Sequence, residues 1–234
     1  MQFRVYSPEQ FRGHLPSPLD KVGLWLGTRF EIEGGIAINR RKSPPYGVLT
    51  LNAPRPLAIE IAGAFCGQIA SYPGSENVQI RWGSHRARVL SELMFPFAPS
   101  RRDELARLIG LNSTNLPEVG LKDHAQLVQD PVSLASLVEC NMTLEAIRHR
   151  NLGFSSSNQS LLEALGSQYG GNIRSVAESG TEFSINGAKI VSQADLWRWQ
   201  VSSREEIIRV LKTAREGAFF KADQIQAALE QISA

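Results

Sequence analysis

The sequence implies the same order of elements twice, and a duplication of this kind limits the folds open to the chain. In the first half "KVGLWLGTRFEIEGG" reads as an apolar helix that stops at a glycine pair. "IAINRRK", "SPPYG" and "VLTLN" then read as strand, turn and strand, which makes a hairpin. "PRPLAIEIAGAFCGQIAS" reads as a helix with proline in its first turn, followed by a turn at "YPGSE" and a strand at "NVQIRWGS". Helices over "HRARVLSELMFPF" and "SRRDELARLIGL" close this half. From residue 131 the order returns: a helix over "PVSLASLVECNM", a hairpin over "TLEAIRHRN" and "LGFSSSN", and a glycine-capped helix over "QSLLEALGSQYGG". "NIRSV" and "LWRWQVS" read as strands around a long polar loop, 177–195. "SREEIIRVLKTA", with Ser203 at its N-cap and Glu205 and Glu206 in its first turn, and "KADQIQAALEQI" are the last helices.

Both halves are read as α-β-β-α-β-β-α-α, the second strand pair of the first half being represented by "NVQIRWGS" alone. Local matches support the duplication: "IRW" at 80–82 against "WRW" at 197–199, and "SRRDELARL" at 100–108 against "FKADQIQAAL" at 220–229. The expected organisation is an N-terminal arm over 1–20, a first half over 21–110, a linker over 111–130 and a second half over 131–234. A length of 234 residues accommodates two such halves of about 100 residues each.

Composition narrows the setting. With 42% hydrophobic residues the chain can bury a proper core, and a formal charge of +2 does not by itself announce a nucleic-acid binder. Cys66 and Cys140 lack metal-ligand spacing, which argues against a zinc site or disulfide framework and for a reducing compartment. The opening "MQFRVYSPEQFRGHLPSPLDKVG" has no secretory pattern, and no apolar stretch is long enough to span a bilayer. The expectation is an intracellular protein, in a bacterial cytoplasm or an organelle, with no membrane partner.

Two stretches carry the strongest functional signal, "LGTRFEIEG" at 26–34 and "LASLVECNM" at 134–142. Both resemble the signature of the LAGLIDADG homing endonucleases. Leu26, Gly27, Glu31, Glu33 and Gly34 fit the first copy; Leu134, Ala135, Leu137, Val138 and Glu139 fit the second. The resemblance covers roughly residues 22–110 and 131–232. It implies an α+β fold of two pseudo-symmetric αββαββα half-domains, whose antiparallel sheets form a DNA-binding saddle. It also implies a site-specific, metal-dependent DNA endonuclease of the homing type, acting as a monomer on double-stranded DNA with Mg²⁺ or Mn²⁺. The alternative on the same scaffold is a non-catalytic nucleic-acid binder, an intron RNA-splicing factor or a transcription regulator, with intron RNA as a further partner.

Carried over residue by residue, the resemblance makes Gly27, Thr28, Ala135 and Ser136 the small residues of a close helix crossing. The motif's second acid, the metal ligand, falls on Glu33 and on Asn141. Glu33 offers hard carboxylate oxygens, whereas the Asn141 amide can coordinate a cation but brings no charge. Met142 replaces the closing glycine, and Arg29 stands where an apolar residue is expected. A late lysine is matched by Lys221 in "FFKADQ" and, in the first half, by Arg101 in "PSRRDEL". Arginine keeps phosphate contact but stays protonated, so it is a poor proton shuttle. Glu33, Asn141, Lys221 and Arg101 are therefore the expected catalytic set, with Glu33 and Asn141 on the metal and cleavage impaired or confined to one strand. Taken singly, Glu31, Glu33 and Glu139 read as helix-end acids and Cys140 as a small buried filler.

Strand alternation sorts the DNA face. In "IAINRRK" Ile36 and Ile38 turn to the core, leaving Asn39 and Arg41 for DNA, with the adjacent Lys42 a further DNA-binding candidate. Arg81 opposes Ile80 and Trp82; Arg198 and Gln200 oppose Trp197 and Trp199. Arg148, Arg150 and Arg174 are the other basic strand residues. Such side chains read purine edges or neutralise phosphates.

Overall fold

Ser7 starts the first helix. In the computed structural model, which describes residues 7–39, 46–70, 77–110, 120–141, 151–185 and 188–233, Ser7 Oγ accepts the Gln10 N–H and Gln10 Oε1 accepts the Ser7 N–H. This capping box, with proline at the first helical position, sets α1 (Pro8–His14). Phe11 is buried on α1, with the Arg86 guanidinium 5.8 Å over its ring. The stretch expected to be an arm therefore holds a packed helix. Its prolines and polar residues resemble a loop in composition, but their spacing is that of a helix start.

The first unit, Met1–Lys122, continues with α2 (Leu19–Glu33), β1 (Gly34–Asn39), β2 (Tyr46–Pro54), α3 (Arg55–Ala64), β3 (Gln68–Ala70), β4 (Asn77–Gly83), α4 (His85–Met94) and α5 (Arg102–Ile109). The strands pair antiparallel in the order β1-β2-β4-β3. Leu49, Leu51, Ile80 and Trp82 form the buried face of the sheet, and Leu26 and Phe30 of α2 with Leu90 and Met94 of α4 close over it. The helices approach closely because α2 carries two glycines one turn apart, Gly23 and Gly27. A Cβ on Gly27 would lie 2.9 Å from Phe97 Cβ and 3.1 Å from the Met94 carbonyl, and one on Gly23 would strike the Leu93 carbonyl. Expected as helix through 71, the chain instead turns after α3, where Cys66 takes φ 51°, and then adds the short edge strand β3.

The second unit, Asp123–Ala234, contains α6 (His124–Gln129), α7 (Pro131–Asn141), β5 (Leu152–Ser156), α8 (Gln159–Tyr169), β6 (Asn172–Ala177), β7 (Glu182–Ile185), β8 (Ala188–Val191), β9 (Leu196–Val201), α9 (Arg204–Gly217) and α10 (Ala222–Ser233). Among the described residues its sheet has the order β5-β9-β6, antiparallel, and β7 and β8 form a separate two-stranded hairpin. Two expectations change here. The stretch read as linker holds α6, set by a capping box between Asp123 and Gln126. The loop expected at 177–195 holds β7 and β8, whose intervening sequence Asn186-Gly187 is a strong hairpin signal. Of the hairpin expected after α7, "LGFSSSN" supplies β5, and residues 142–150 lie outside the described set.

The duplication is clearest at two tryptophans. Trp82 on β4 donates its Nε1–H to the Phe65 carbonyl at 2.8 Å, and Trp199 on β9 donates to the Gly170 carbonyl at 2.9 Å. In both units the donor's strand follows the helix whose end it satisfies, so the indole ties a helix C-terminus to the sheet. In the second unit the chain passes beneath through Gly171 at φ +85°, where a Cβ would meet the Gln200 carbonyl at 2.5 Å. Replacing Trp82 or Trp199 by Phe keeps most of the ring but removes the donor. Each is expected to lower unfolding free energy by about 1–2 kcal/mol in urea titrations. An unchanged midpoint in both variants would contradict the assigned bonds.

Candidate active site and nucleic-acid face

The last turn of each motif helix carries a buried acid that captures another helix. Glu139 on α7 is fully buried, and its Oε1 accepts the backbone N–H groups of Phe219, Phe220 and Lys221 at 2.9, 2.6 and 2.8 Å. Those N–H groups lead directly into α10, whose positive dipole end favours an anion. On α2, Glu31 is 5% exposed, and its Oε1 accepts the Ser100 N–H at 2.9 Å, just ahead of α5. In both units the acid fixes the segment bearing the candidate basic residue, Arg101 in the first and Lys221 in the second. The side-chain orientation follows from helix geometry. Residues two apart on a helix differ by about 200°, so Glu31 turns inward while Glu33 is 36% exposed.

Glu33 is not an isolated carboxylate. Its Oε2 lies 2.7 Å from Nη2 of Arg29, one helical turn back, and the Arg29 side chain is only 1% exposed. The same Nη2 donates to the Asn52 carbonyl at 2.9 Å. Arg101 lies nearby in the chain's packing: its guanidinium stands 5.2 Å over the Phe30 ring and pairs with Glu104 at 2.9 Å. The first unit thus gathers Glu33, Arg29, Phe30 and Arg101 around the end of α2. Among the described residues no three His, Cys, Asp or Glu side chains cluster as a ready metal site. The donor whose chemistry fits a hard divalent cation is the Glu33 carboxylate, partly exposed and already shared with Arg29.

In the second unit Lys221 is half-buried at the start of α10. Leu137 occupies the motif place that Arg29 holds in the first unit and is fully buried. Thr28, Ala135 and Ser136 are also fully buried, and the Thr28 hydroxyl donates to the Leu24 carbonyl at 2.9 Å. Cys140 is half-buried. The side chains of Asn39 and Asn141, and residues Arg41, Lys42, Met142, Arg148 and Arg150, lie outside the described set.

The face of each sheet away from the buried core is polar and follows the same pattern twice. Thr50, Arg81 and Gln68 stand in one row across β2, β4 and β3, with Asn52 and Gln79 in the next. Arg81 is exposed, and its Nε donates to Gln79 Oε1 at 2.7 Å. On the second sheet Ser155, Arg198 and Arg174 form one row across β5, β9 and β6, and Gln200 and Asn172 pair in the next. Gln200 donates to Asn151 at 3.0 Å. Arg198 faces Arg174 directly, an arrangement that disfavours the sheet unless an anion joins it. Among the described residues neither arginine forms an ion pair, and the buried Nε of Arg198 has no hydrogen-bond partner. Sequence reading missed Thr50, Asn52, Gln68, Gln79, Ser155 and Asn172. Their signal was the alternation opposite Leu49, Leu51 and Ile80, readable once the strands are fixed. One expectation changes: Ile38, assigned to the core, is 59% exposed on the edge strand β1.

No protein-family model matches the sequence, and no curated protein matches it. Solved structures do. The LAGLIDADG meganuclease I-AabMI, in a crystal structure bound to uncleaved DNA, aligns at a TM-score of 0.52 and 14% identity over 90% of each chain. A double mutant of I-SmaMI aligns at 0.51 and 14% identity, again over 90% of each chain, and a single mutant at 0.51 and 12%. The chain therefore has the α+β fold of the LAGLIDADG homing endonucleases, which the motif resemblance implied.

Glu139→Gln keeps the size of the side chain but removes the charge from three converging N–H groups. It is expected to cost about 1–3 kcal/mol of stability in denaturant titration. A change below a few tenths of a kcal/mol would contradict a charged anchor at this position.

Proposed function

We propose that the chain is a site-specific endonuclease of double-stranded DNA that hydrolyses phosphodiester bonds at a long target and cuts one strand in preference to the other. The observation that carries this reading is the repeated anchor. In each unit a buried motif-helix acid holds the segment that presents a basic residue beside the helix end, on a scaffold whose sheet faces are polar and bear arginine. I-AabMI, which shares the fold, is a meganuclease bound to DNA in its crystal structure, and this supports DNA as the partner. One chain carries both halves, in keeping with action as a monomer.

Roles follow from chemistry. Glu33 would hold a divalent cation, Mg²⁺ or Mn²⁺, which when bound polarises the phosphate and acidifies its water. Arg101, always charged, would take the developing negative charge of the phosphate. Lys221, which can exchange a proton, would orient water in the second half. Asn141 brings an uncharged amide oxygen, so the second half would hold a cation less well than the first. Arg81, Arg174 and Arg198 suit phosphates or guanine edges, and Asn39, Asn52, Gln68, Gln79 and Gln200 suit adenine edges. Arg41, Lys42, Arg148 and Arg150 join them on their sequence positions.

A second reading is favoured by a specific observation. The Arg29–Glu33 ion pair, together with Asn141, would suit a protein that binds nucleic acid, DNA or intron RNA, without cutting it. A selected target duplex labelled on each strand, with Mg²⁺ or Mn²⁺ present, separates the two. The endonuclease reading expects one strand to be cut, with the cut lost by about a hundredfold or more in Glu33→Gln. Tight binding with both strands intact would favour the second reading. Arg174→Ala and Arg198→Ala are each expected to weaken DNA binding and to lower the slope of log affinity against log salt by about 1. Slopes unchanged in both variants would remove the second sheet from the interface.

A further inference from the structure

We propose that the cleft of the first unit between α1, the start of β2 and α4 binds a phosphate-bearing small molecule of nucleotide size. The inference is independent of the cleavage reading, because it uses no residue of the candidate active site or of the polar sheet faces.

The cleft holds about 660 Å³, within the range of sites for small organic ligands. Its hydrogen-bonding chemistry is one-sided. Glu92 on α4 accepts Arg12 of α1 on Oε2 and Arg88 of its own helix on Oε1, the latter at 3.3 Å. Two guanidiniums thus converge on one carboxylate, and each carries more N–H groups than that contact uses. Among the described residues the remaining side-chain N–H groups of Arg12 and Arg88 have no acceptor. The Ser84 hydroxyl also faces the cleft and does not cap α4. Nε2 of His85, a buried atom, has no hydrogen-bond partner. Burial, and then the neighbouring Arg86, hold the His85 pKa below the usual histidine value, so at neutral pH the ring is uncharged and one of its nitrogens carries N–H. Glu9, the other acid on the cleft, is engaged at the start of α1, where its own backbone N–H and the Ser7 hydroxyl lower its pKa.

A ligand that answers several unmatched donors at once is an oxyanion. Two guanidiniums and a hydroxyl suit the oxygens of a phosphate. The rest of the wall is apolar, from Val89 on α4, Leu108 on α5 and the Tyr46 ring. Two glycines make room for it: a Cβ on Gly83 would stand 2.9 Å from Tyr46 Cε2, and one on Gly47 would strike the Leu108 side chain. An aromatic and aliphatic wall beside an oxyanion subsite matches a phosphate ester with a flat ring body, the chemistry of a nucleoside monophosphate.

The test uses the full chain in isothermal titration calorimetry at constant ionic strength, with adenosine monophosphate, adenosine and inorganic phosphate as probes. The nucleotide is expected to bind at one site per chain, and each fragment at least about tenfold more weakly. Arg12→Gln and Arg88→Gln are each expected to weaken nucleotide binding by about tenfold, the worth of a charge-assisted hydrogen bond in an open cleft. Arg55→Gln, at an exposed arginine on α3, is expected to leave it unchanged. Circular dichroism confirms that the variants are folded, and Arg88→Gln leaves the Arg12–Glu92 bridge between α1 and α4 in place, so its effect does not come from a displaced α1. Absence of saturable nucleotide binding, or inorganic phosphate binding as tightly as the nucleotide, would overturn the proposal. So would an equal loss in Arg55→Gln, or nucleotide binding that survives Arg12→Gln and Arg88→Gln and is lost in Arg198→Ala, since that result would put the nucleotide on the second sheet.

Discussion

A carboxylate sealed inside a protein persists only if charge or dipoles converge on it, and in this chain that requirement organises both halves. Glu139 is fully buried and draws the backbone N–H groups of residues 219–221 onto one oxygen. Glu31 does the corresponding work at Ser100. These bonds link segments about seventy to eighty residues apart in sequence, so the end of each motif helix and the start of each late helix form one rigid corner. Helical periodicity then separates the motif's two acids. With Glu31 turned inward as an anchor, position 33 is left at the partly exposed end of the helix, where chemistry is possible. The anchor and the candidate ligand are products of one geometric fact, the 100° step of an α-helix.

The electrostatics of the first site depend on what surrounds that exposed acid. A guanidinium lies behind Glu33 at Arg29, and a second lies over Phe30 at Arg101. Arg29 is buried and Arg101 half-buried, and both present a planar guanidinium fork suited to carboxylate or phosphate oxygens. The second unit shows the other solution, with Leu137 at the place of Arg29 and an amide residue, Asn141, at the place of Glu33. A charged pair in one half and a neutral pair in the other give the two halves equal formal charge at these positions. On the present reading they nonetheless differ in cation affinity and therefore in cutting.

Much of the fold was legible in the sequence, because the signals were periodic. The alternation in "VLTLN", "NVQIRWG" and "LWRWQV" set which face of each strand is buried, and the match of "IRW" with "WRW" identified Trp82 and Trp199, which make the same bond in both units. The helices α1 and α6 were hidden because Ser7 with Gln10 and Asp123 with Gln126 are short capping signals inside stretches rich in proline or polar residues. Strand β3 was hidden because Cys66 turns the chain with a positive φ that no composition rule foretells. At the candidate site, sequence reading proposed Glu33 and flagged Arg29 as out of place, but not that the two are partners. It placed Glu139 in the motif, but not the three N–H groups eighty residues away that explain why an acid is there. The Glu139 contacts lie at long sequence separation and have no local period, whereas the Arg29–Glu33 pair is one helical turn apart and was within reach of sequence reading.

The anchor is the claim on which the rest stands, and amide hydrogen exchange measures it directly. If Glu139 holds the entry to α10, the amides of Phe219, Phe220 and Lys221 exchange as slowly as those of the buried helix α9 and become fast together in Glu139→Gln. Exchange of these three amides at the rate of an exposed loop in the unaltered chain would contradict the account.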